Sequence, residues 1–234
     1  MREWLYNEKK HCGVDYAART VARRYDEAHG QFRDYQKETG LVIEALRLSK
    51  DDTVVDLGCG TGAFALNVAP HCKKVIGVDI SAGMLAVFND KVRELDITNI
   101  ETVCAGFLTY AHQGAPADAV VSMIALHHLP DFWKLVALRR IKDLLKPGGR
   151  FCLFDVVFSF PLEAYEEYFD RWVGQMRDGA TSQIGEEVVI HLRDEYSTTE
   201  KIMDGLLAEA GFTIEHKTIE SPYTMWYVCV KTEN

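Results

Sequence analysis

Along the first fifty residues, apolar positions recur at helical spacing among charged ones. The pattern predicts helices over Tyr16 to Glu27 and Phe32 to Leu48, separated at Gly30, with a turn at Ser49-Lys50-Asp51-Asp52. The period then shortens. Thr53-Val54-Val55-Asp56-Leu57 is a β-rich run ending in glycines, and Gly62 to Ala69 reads as a helix stopped by Pro70. Lys74 to Ile80 is a second strand, and Ser81 to Leu95 a helix that Ser81 caps. Ile100 to Ala105 and Asp118 to Met123 are further strands. Asp131 to Leu145 is a helix ended by Lys146-Pro147-Gly148-Gly149, and Arg150 to Phe158 is the fifth strand. Strands alternating with helices predict a doubly wound α/β fold around a mostly parallel sheet. The continuously apolar Phe151-Cys152-Leu153-Phe154 agrees, because strands of such sheets are buried on both faces.

After Phe158 the alternation pauses. Pro161 to Arg177 predicts an aromatic-rich helix, Asp178 to Ser182 a loop, and Ser197/Thr198 to Ala210 a helix closed by Gly211. Thr213 to Ile219 and Met225 to Val230 form a closing strand pair around Pro222. One domain is expected: an N-terminal helical cap (1–50), a ligand-binding core (51–158), a helical lid insertion (159–198), and a final helix with a strand pair (199–234).

Composition narrows the partners. A net charge of -9 without a Lys/Arg block disfavours nucleic acid. The six cysteines form no CxxC pair, which fits a reducing cytoplasm and argues against a zinc knuckle or thioredoxin motif. The charged N-terminus lacks a signal core, and the apolar runs are strand-length, so no membrane association is expected.

The candidate ligand site is Val54-Val55-Asp56-Leu57-Gly58-Cys59-Gly60-Thr61-Gly62, a buried strand opening through glycines into a helix. Glycines there let the backbone turn sharply and approach a ligand lying across the carboxyl ends of the strands. Asp79 ends the second strand, where an acid accepts hydrogen bonds from both ribose hydroxyls. A nucleoside-containing ligand follows. The dinucleotide fingerprint is G-x-G-x-x-G, whereas this chain carries G-x-G-x-G with Asp56 before it. A carboxylate there repels a pyrophosphate and suits ammonium and sulfonium groups.

D-L-G-C-G-T-G, then V-I-G-V-D-I-S, then L-L-K-P-G-G-R before a strand resembles the class I S-adenosylmethionine-dependent methyltransferases. The resemblance implies a Rossmann-like, seven-stranded sheet whose last strand is antiparallel, with S-adenosylmethionine as cofactor and S-adenosylhomocysteine as product. It places Asp56, Gly58, Cys59 and Gly60 along the methionine portion and Asp79 on the ribose. Ile80 and Met84 would pack on the adenine, and Ser122 would lie near the sulfonium. Tyr25, in Arg24-Tyr25-Asp26, resembles a lid segment. Where relatives carry an acid after the third strand, this chain has Gly106, so adenine recognition falls to backbone groups near Gly106 and Phe107.

Methyl transfer needs the acceptor in line and about 3–3.5 Å from the methyl, with a base only if a proton must leave. His127 and His128, after the fourth strand, are the candidate bases, or else cap the next helix. No metal is assigned, because no third ligand stands at a supporting spacing, although the resemblance leaves a divalent ion near this segment open, as some quinone-directed relatives bind one there. Asp155 faces either the pocket or a backbone group. Phe158, Phe160, Tyr165, Tyr168, Phe169 and Trp172 either cradle a planar acceptor or bury the insertion, and Arg193 either binds an anion or sits in a solvated turn. The segment Ser122-Met123-Ile124-Ala125 resembles none of the motifs of protein methylation. A small-molecule acceptor and a monomer or homodimer are therefore expected. The alternatives are a non-catalytic cofactor binder and an NAD-dependent oxidoreductase using Tyr227 and Lys231.

Overall fold

The structure, a computed structural model, describes residues 3–10, 13, 33–179 and 182–232. The predicted helix at Tyr16 to Glu27, with Tyr25 and Gly30, lies outside the described residues. The second N-terminal helix is α1 (Tyr35–Leu46), whose N-cap Asp34 accepts from the Lys37 amide. The core follows as β1 (Thr53–Leu57), α2 (Ala63–Val68), β2 (Lys74–Asp79), α3 (Ala82–Glu94), β3 (Ile100–Cys104), β4 (Ala117–Met123), α4 (Asp131–Leu144) and β5 (Leu145–Phe158). Ser81 caps α3 as predicted, its hydroxyl accepting from the Met84 amide.

The insertion differs from expectation. The aromatic helix α5 (Tyr165–Gly179) is followed by a second helix, α6 (Ser182–Asp194), over residues to which the sequence reading assigned no helix, with only a polar run expected at its end. Its signal is in the sequence: Ile184, Val188 and Leu192 recur every four residues and are the positions α6 turns inward. Arg193 does pair with its neighbour Asp194, but on the last turn of this helix. Then come β6 (Thr198–Thr199), α7 (Glu200–Ala210) ending at left-handed Gly211, β7 (Phe212–Ser221) and β8 (Thr224–Lys231). The segment Lys146 to Gly149 continues β5 directly from α4, with the register against β4 shifting across it.

The sheet runs β3-β2-β1-β4-β5-β8-β7, with β6 pairing β5 off this path. β1 to β5 are mutually parallel, and β8 is antiparallel to both neighbours. Side-chain alternation along each strand feeds two cores. Val55, Leu57 and Val120 meet α4 and α7 on one face. Val54, Ala119 and Val121 meet α1, α2 and α3 on the other. Full burial of side chains such as Phe88 and Leu138 contributes about 1.5–3 kcal/mol each. A third cluster, around Trp172, Val188 and Tyr223, attaches α5 and α6 to the end of β5. Chain order reverses between β1 and β4, so their carboxyl ends form the switch point where such sheets hold ligands. No described helix is long and apolar enough to cross a membrane.

Candidate active site

The glycine turn leaves β1 pinned to β2: the amides of Gly58 and Cys59 donate to the Val78 carbonyl at 2.8 and 3.1 Å. Asp79 braces the turn from the next strand end. Its carboxylate accepts from the Gly60 amide at 2.8 Å and from the Ser81 amide at 2.7 Å. Burial raises the Asp79 pKa, and these two amides draw it back. Gly62 and Gly60 both have positive φ, for different reasons. A Cβ on Gly62 would collide with the Phe88 ring, whereas one on Gly60 would enter open space.

That space is a small cavity lined by Asp56, Gly58, Cys59, Gly60, Thr61, Met123 and Ile124, with Arg33 and Tyr35 closing it from the α1 side. Asp56 is 2% exposed, and its Oδ2 has no hydrogen-bond partner among the described residues. Burial, then the nearby Asp79 carboxylate, raise its pKa to about 8, with Arg33 acting the other way. A buried acid lacking a partner calls for a cation. The methionine end of S-adenosylmethionine supplies an ammonium and a sulfonium, so the residues present fit the cofactor. Arg33, which pairs with Glu38 at 2.6 Å, also lines this cavity, and the sequence reading did not name it. A binding consequence follows from the Asp56 pKa. A cation favours the ionised acid, so below about pH 8 binding must expel a proton. Affinity for S-adenosylhomocysteine, whose ammonium remains, is expected to rise up to about tenfold per unit between about pH 6 and 7.5. Calorimetric titrations of wild type and Asp56→Asn across that range check this; an equal slope in both would refute it.

At the adenine end, Phe107 approaches Gly58, and Ile80 and Met84 lie at the start of α3. The expectation for the Gly106 backbone needs correction. Its amide donates to Thr109 Oγ1 at 2.9 Å, and the Leu108 amide donates to Glu8 Oε1 at 3.0 Å. A Cβ on Gly106 would collide with that Glu8 carboxylate. An acid therefore stands where one was missing, delivered by the N-terminal segment, which no local motif announces. Ser122 also needs correction. It is 0% exposed and lines neither cavity, because alternation along β4 turns it inward, while Met123 and Ile124 line the cofactor cavity. Ile124 holds φ 51°, unusual for a β-branched residue, its amide bonded to the Phe154 carbonyl at 2.7 Å.

A larger cavity of about 530 Å3 lies beyond Ile124. Trp172, Met176, Ile184, Val188 and Tyr223 form its apolar wall, with Phe154 and Trp226 toward the sheet. Trp172 stacks on Tyr223 at 4.6 Å, and Phe160 on Tyr168 at 4.5 Å. The aromatic insertion thus divides: Trp172 faces the cavity, while Phe158, Phe160 and Tyr168 back the cluster that anchors it.

His127, His128, His191 and Glu195 converge on this cavity. His127 is 3% exposed; its Nδ1 meets Asp155 Oδ1 at 2.5 Å, and its Nε2 faces Glu195 Oε2 at 3.3 Å. Burial works against its charge, but Asp155 and then Glu195 outweigh that and raise its pKa. Asp155 accepts as well from the amides of His127 and Val156, so it holds His127 rather than facing the cavity. His128 has its side chain 36% exposed, and burial followed by the charge on His127 lowers its pKa. Glu195 also receives His191 Nδ1, and its pKa is lowered: burial raises it, but the His127 and His191 contacts prevail. The reason given for expecting no metal ligands fails here, since α6 brings Glu195 to the histidine pair from far along the chain.

Residues 54–149 match a family described as a methyltransferase domain. An uncharacterized methyltransferase of Schizosaccharomyces pombe is 32% identical over 113 residues, 45% of this chain and 39% of that protein. The chain thus spans well under half of that relative. An uncharacterized methyltransferase of Anoxybacillus flavithermus is 26% identical over 184 residues, 79% of this chain and 80% of that one. A S-adenosylmethionine-dependent methyltransferase of Clostridium acetobutylicum shares the fold, with a TM-score of 0.67 at 14% identity over 92% of this chain and 98% of the other. The glycine turn, Asp56 and Asp79 all lie within the matched methyltransferase domain, and the relatives and the shared fold support a S-adenosylmethionine-dependent methyltransferase. The NAD-dependent alternative lapses: Tyr227 is fully buried in β8, and Lys231 Nζ donates to the Leu145 carbonyl.

Proposed function

We propose that the protein transfers the methyl group of S-adenosylmethionine to a small-molecule acceptor seated in the larger cavity. One observation carries this reading: the cofactor cavity and the larger cavity share Arg33, Glu38 and Ile124 as a common wall. A ligand filling the first therefore presents its reacting end to a molecule in the second. The volume, about 530 Å3, falls in the range of small-molecule sites. The bound cofactor supplies an electrophilic methyl on a good leaving group. Asp56, Arg33 and Asp79 bind and orient it. Trp172, Tyr223, Met176 and Val188 hold an apolar, planar acceptor body and exclude water. The polar atom of the acceptor meets His128, and His127, clasped between Asp155 and Glu195, positions that end of the cavity. The free thiols at Cys59, Cys72, Cys104, Cys152 and Cys229 support a reducing, cytoplasmic setting.

The test is to incubate the protein with methyl-labelled S-adenosylmethionine and fractionated cell extract. Label is expected in the small-molecule fraction, reduced about 10²–10⁴-fold by His128→Ala. S-adenosylhomocysteine affinity should be unchanged in that variant. Label confined to protein or nucleic acid would refute the acceptor class.

A further inference from the structure

We propose that His127, His128 and Glu195 form a binding site for a divalent first-row transition metal of the zinc or ferrous class. The reading of the cavity as an acceptor site bears only on what such an ion is for. The ion's binding is argued from the cluster itself.

The donor atoms of these three residues lie within 4.8 Å of one another. His127 Nε2 stands 3.3 Å from Glu195 Oε2, and His128 Nδ1 stands 3.9 Å from Glu195 Oε1. Donors held about 2.0–2.2 Å from one ion, at tetrahedral or octahedral angles, stand about 3.0–3.5 Å apart. The widest separation in the set, up to 4.8 Å, exceeds that spacing by roughly 1.3 Å, so the half-exposed His128 ring must turn toward the centre to close the set on one ion. Two imidazoles and one carboxylate, with further positions open, are the donors that zinc and ferrous ions take in reactive sites. The open side faces the cavity, because His128 and Glu195 both line it.

The second layer is also in place. Metal-bound imidazoles characteristically give their other nitrogen to a carboxylate. His127 Nδ1 is bonded to Asp155 at 2.5 Å, which aims Nε2 at the centre. Asp155 is itself fixed by the His127 and Val156 amides. Glu195 is oriented by His191 Nδ1, one helical turn earlier on α6, and His191 Nε2 meets Ser197 Oγ at 2.7 Å. The backbone holds the two halves together: the Tyr196 amide donates to the His127 carbonyl at 2.9 Å. A surface ion pair has no need of such layers. They are what a metal site uses to keep its ligands pointed inward.

Co²⁺ is the probe. Chelator-treated full-length protein should take up one Co²⁺ per chain, with a visible ligand-field band that Zn²⁺ abolishes by competition. Glu195→Gln and His128→Ala should each weaken uptake at least tenfold, and the double variant should show no band. S-adenosylhomocysteine binding, measured on the same samples, should persist and so certify the fold. Absence of the band in the wild type, or its survival in the double variant, would overturn the site. Uptake is read without any acceptor. Failure to find a methylated small molecule would therefore leave a positive result standing, and absence of uptake would leave the acceptor reading intact.

Discussion

Asp79→Ala is expected to weaken S-adenosylhomocysteine binding about 10²–10⁴-fold while leaving a folded protein. The carboxylate has two duties at the end of β2. It accepts from the Gly60 and Ser81 amides at 2.8 and 2.7 Å, which fixes the glycine turn against α3. Each oxygen keeps a further lone pair for a ribose hydroxyl. Hydrogen bonds to a charged acceptor contribute about 1.5–3 kcal/mol each, so losing a pair to the ligand amounts to about 3–6 kcal/mol. The fold should tolerate the change. Ser81 still caps α3 through Met84, and the Gly58 and Cys59 amides still bind the Val78 carbonyl. Calorimetric titration with a parallel melting curve decides the matter. Affinity within about threefold of wild type would remove Asp79 from the cofactor site.

The placement of Asp79 beside the glycine turn was legible because its signal is local: a strand end, a following N-cap serine, and a glycine turn on the strand before. The same holds for Asp56, whose position at the end of β1 and isolation from donors follow from one motif. Elements with a clean period were legible for the same reason, and β1 to β4 fall within a residue or so of the pattern. What escaped was assembled by tertiary packing. Glu8 reaches Gly106, Arg33 reaches the cavity under Asp56, and Glu195 reaches His127, each across a long stretch of chain. The missed helix α6 had its period partly masked by charged and small residues, so no element was assigned there. Ser122 failed for a different reason. A position within a strand motif gives depth along the sheet, while the face depends on alternation relative to the next turn, and here Ile124 makes that turn.

The long-range part of the site rests on a buried strut, Lys134, and removing it should slow the enzyme from outside the cavity. Lys134, on α4, is 1% exposed. Its ammonium donates to Asp131 Oδ1 at 2.8 Å and to the Tyr196 carbonyl. The Tyr196 amide in turn holds the His127 carbonyl, and Tyr196 follows directly on Glu195. Lys134 therefore sets where the carboxylate of Glu195 meets the histidines, although it lines neither cavity. Lys134→Met keeps the apolar stem and deletes the charge. The Tyr196 carbonyl loses its donor, costing about 1–3 kcal/mol, while Asp131, with its side chain 46% exposed, is rehydrated. A displacement of about 1 Å at a reacting group costs about 10² in rate. The expected result is a kcat lowered about 10²-fold with the affinity for S-adenosylhomocysteine unchanged, since the residues proposed to hold the cofactor sit on β1, on β2 and just before α1. A purely structural role would instead lower melting temperature and spare kcat in the protein that remains folded, so the two are separated by measuring turnover per cofactor-binding site.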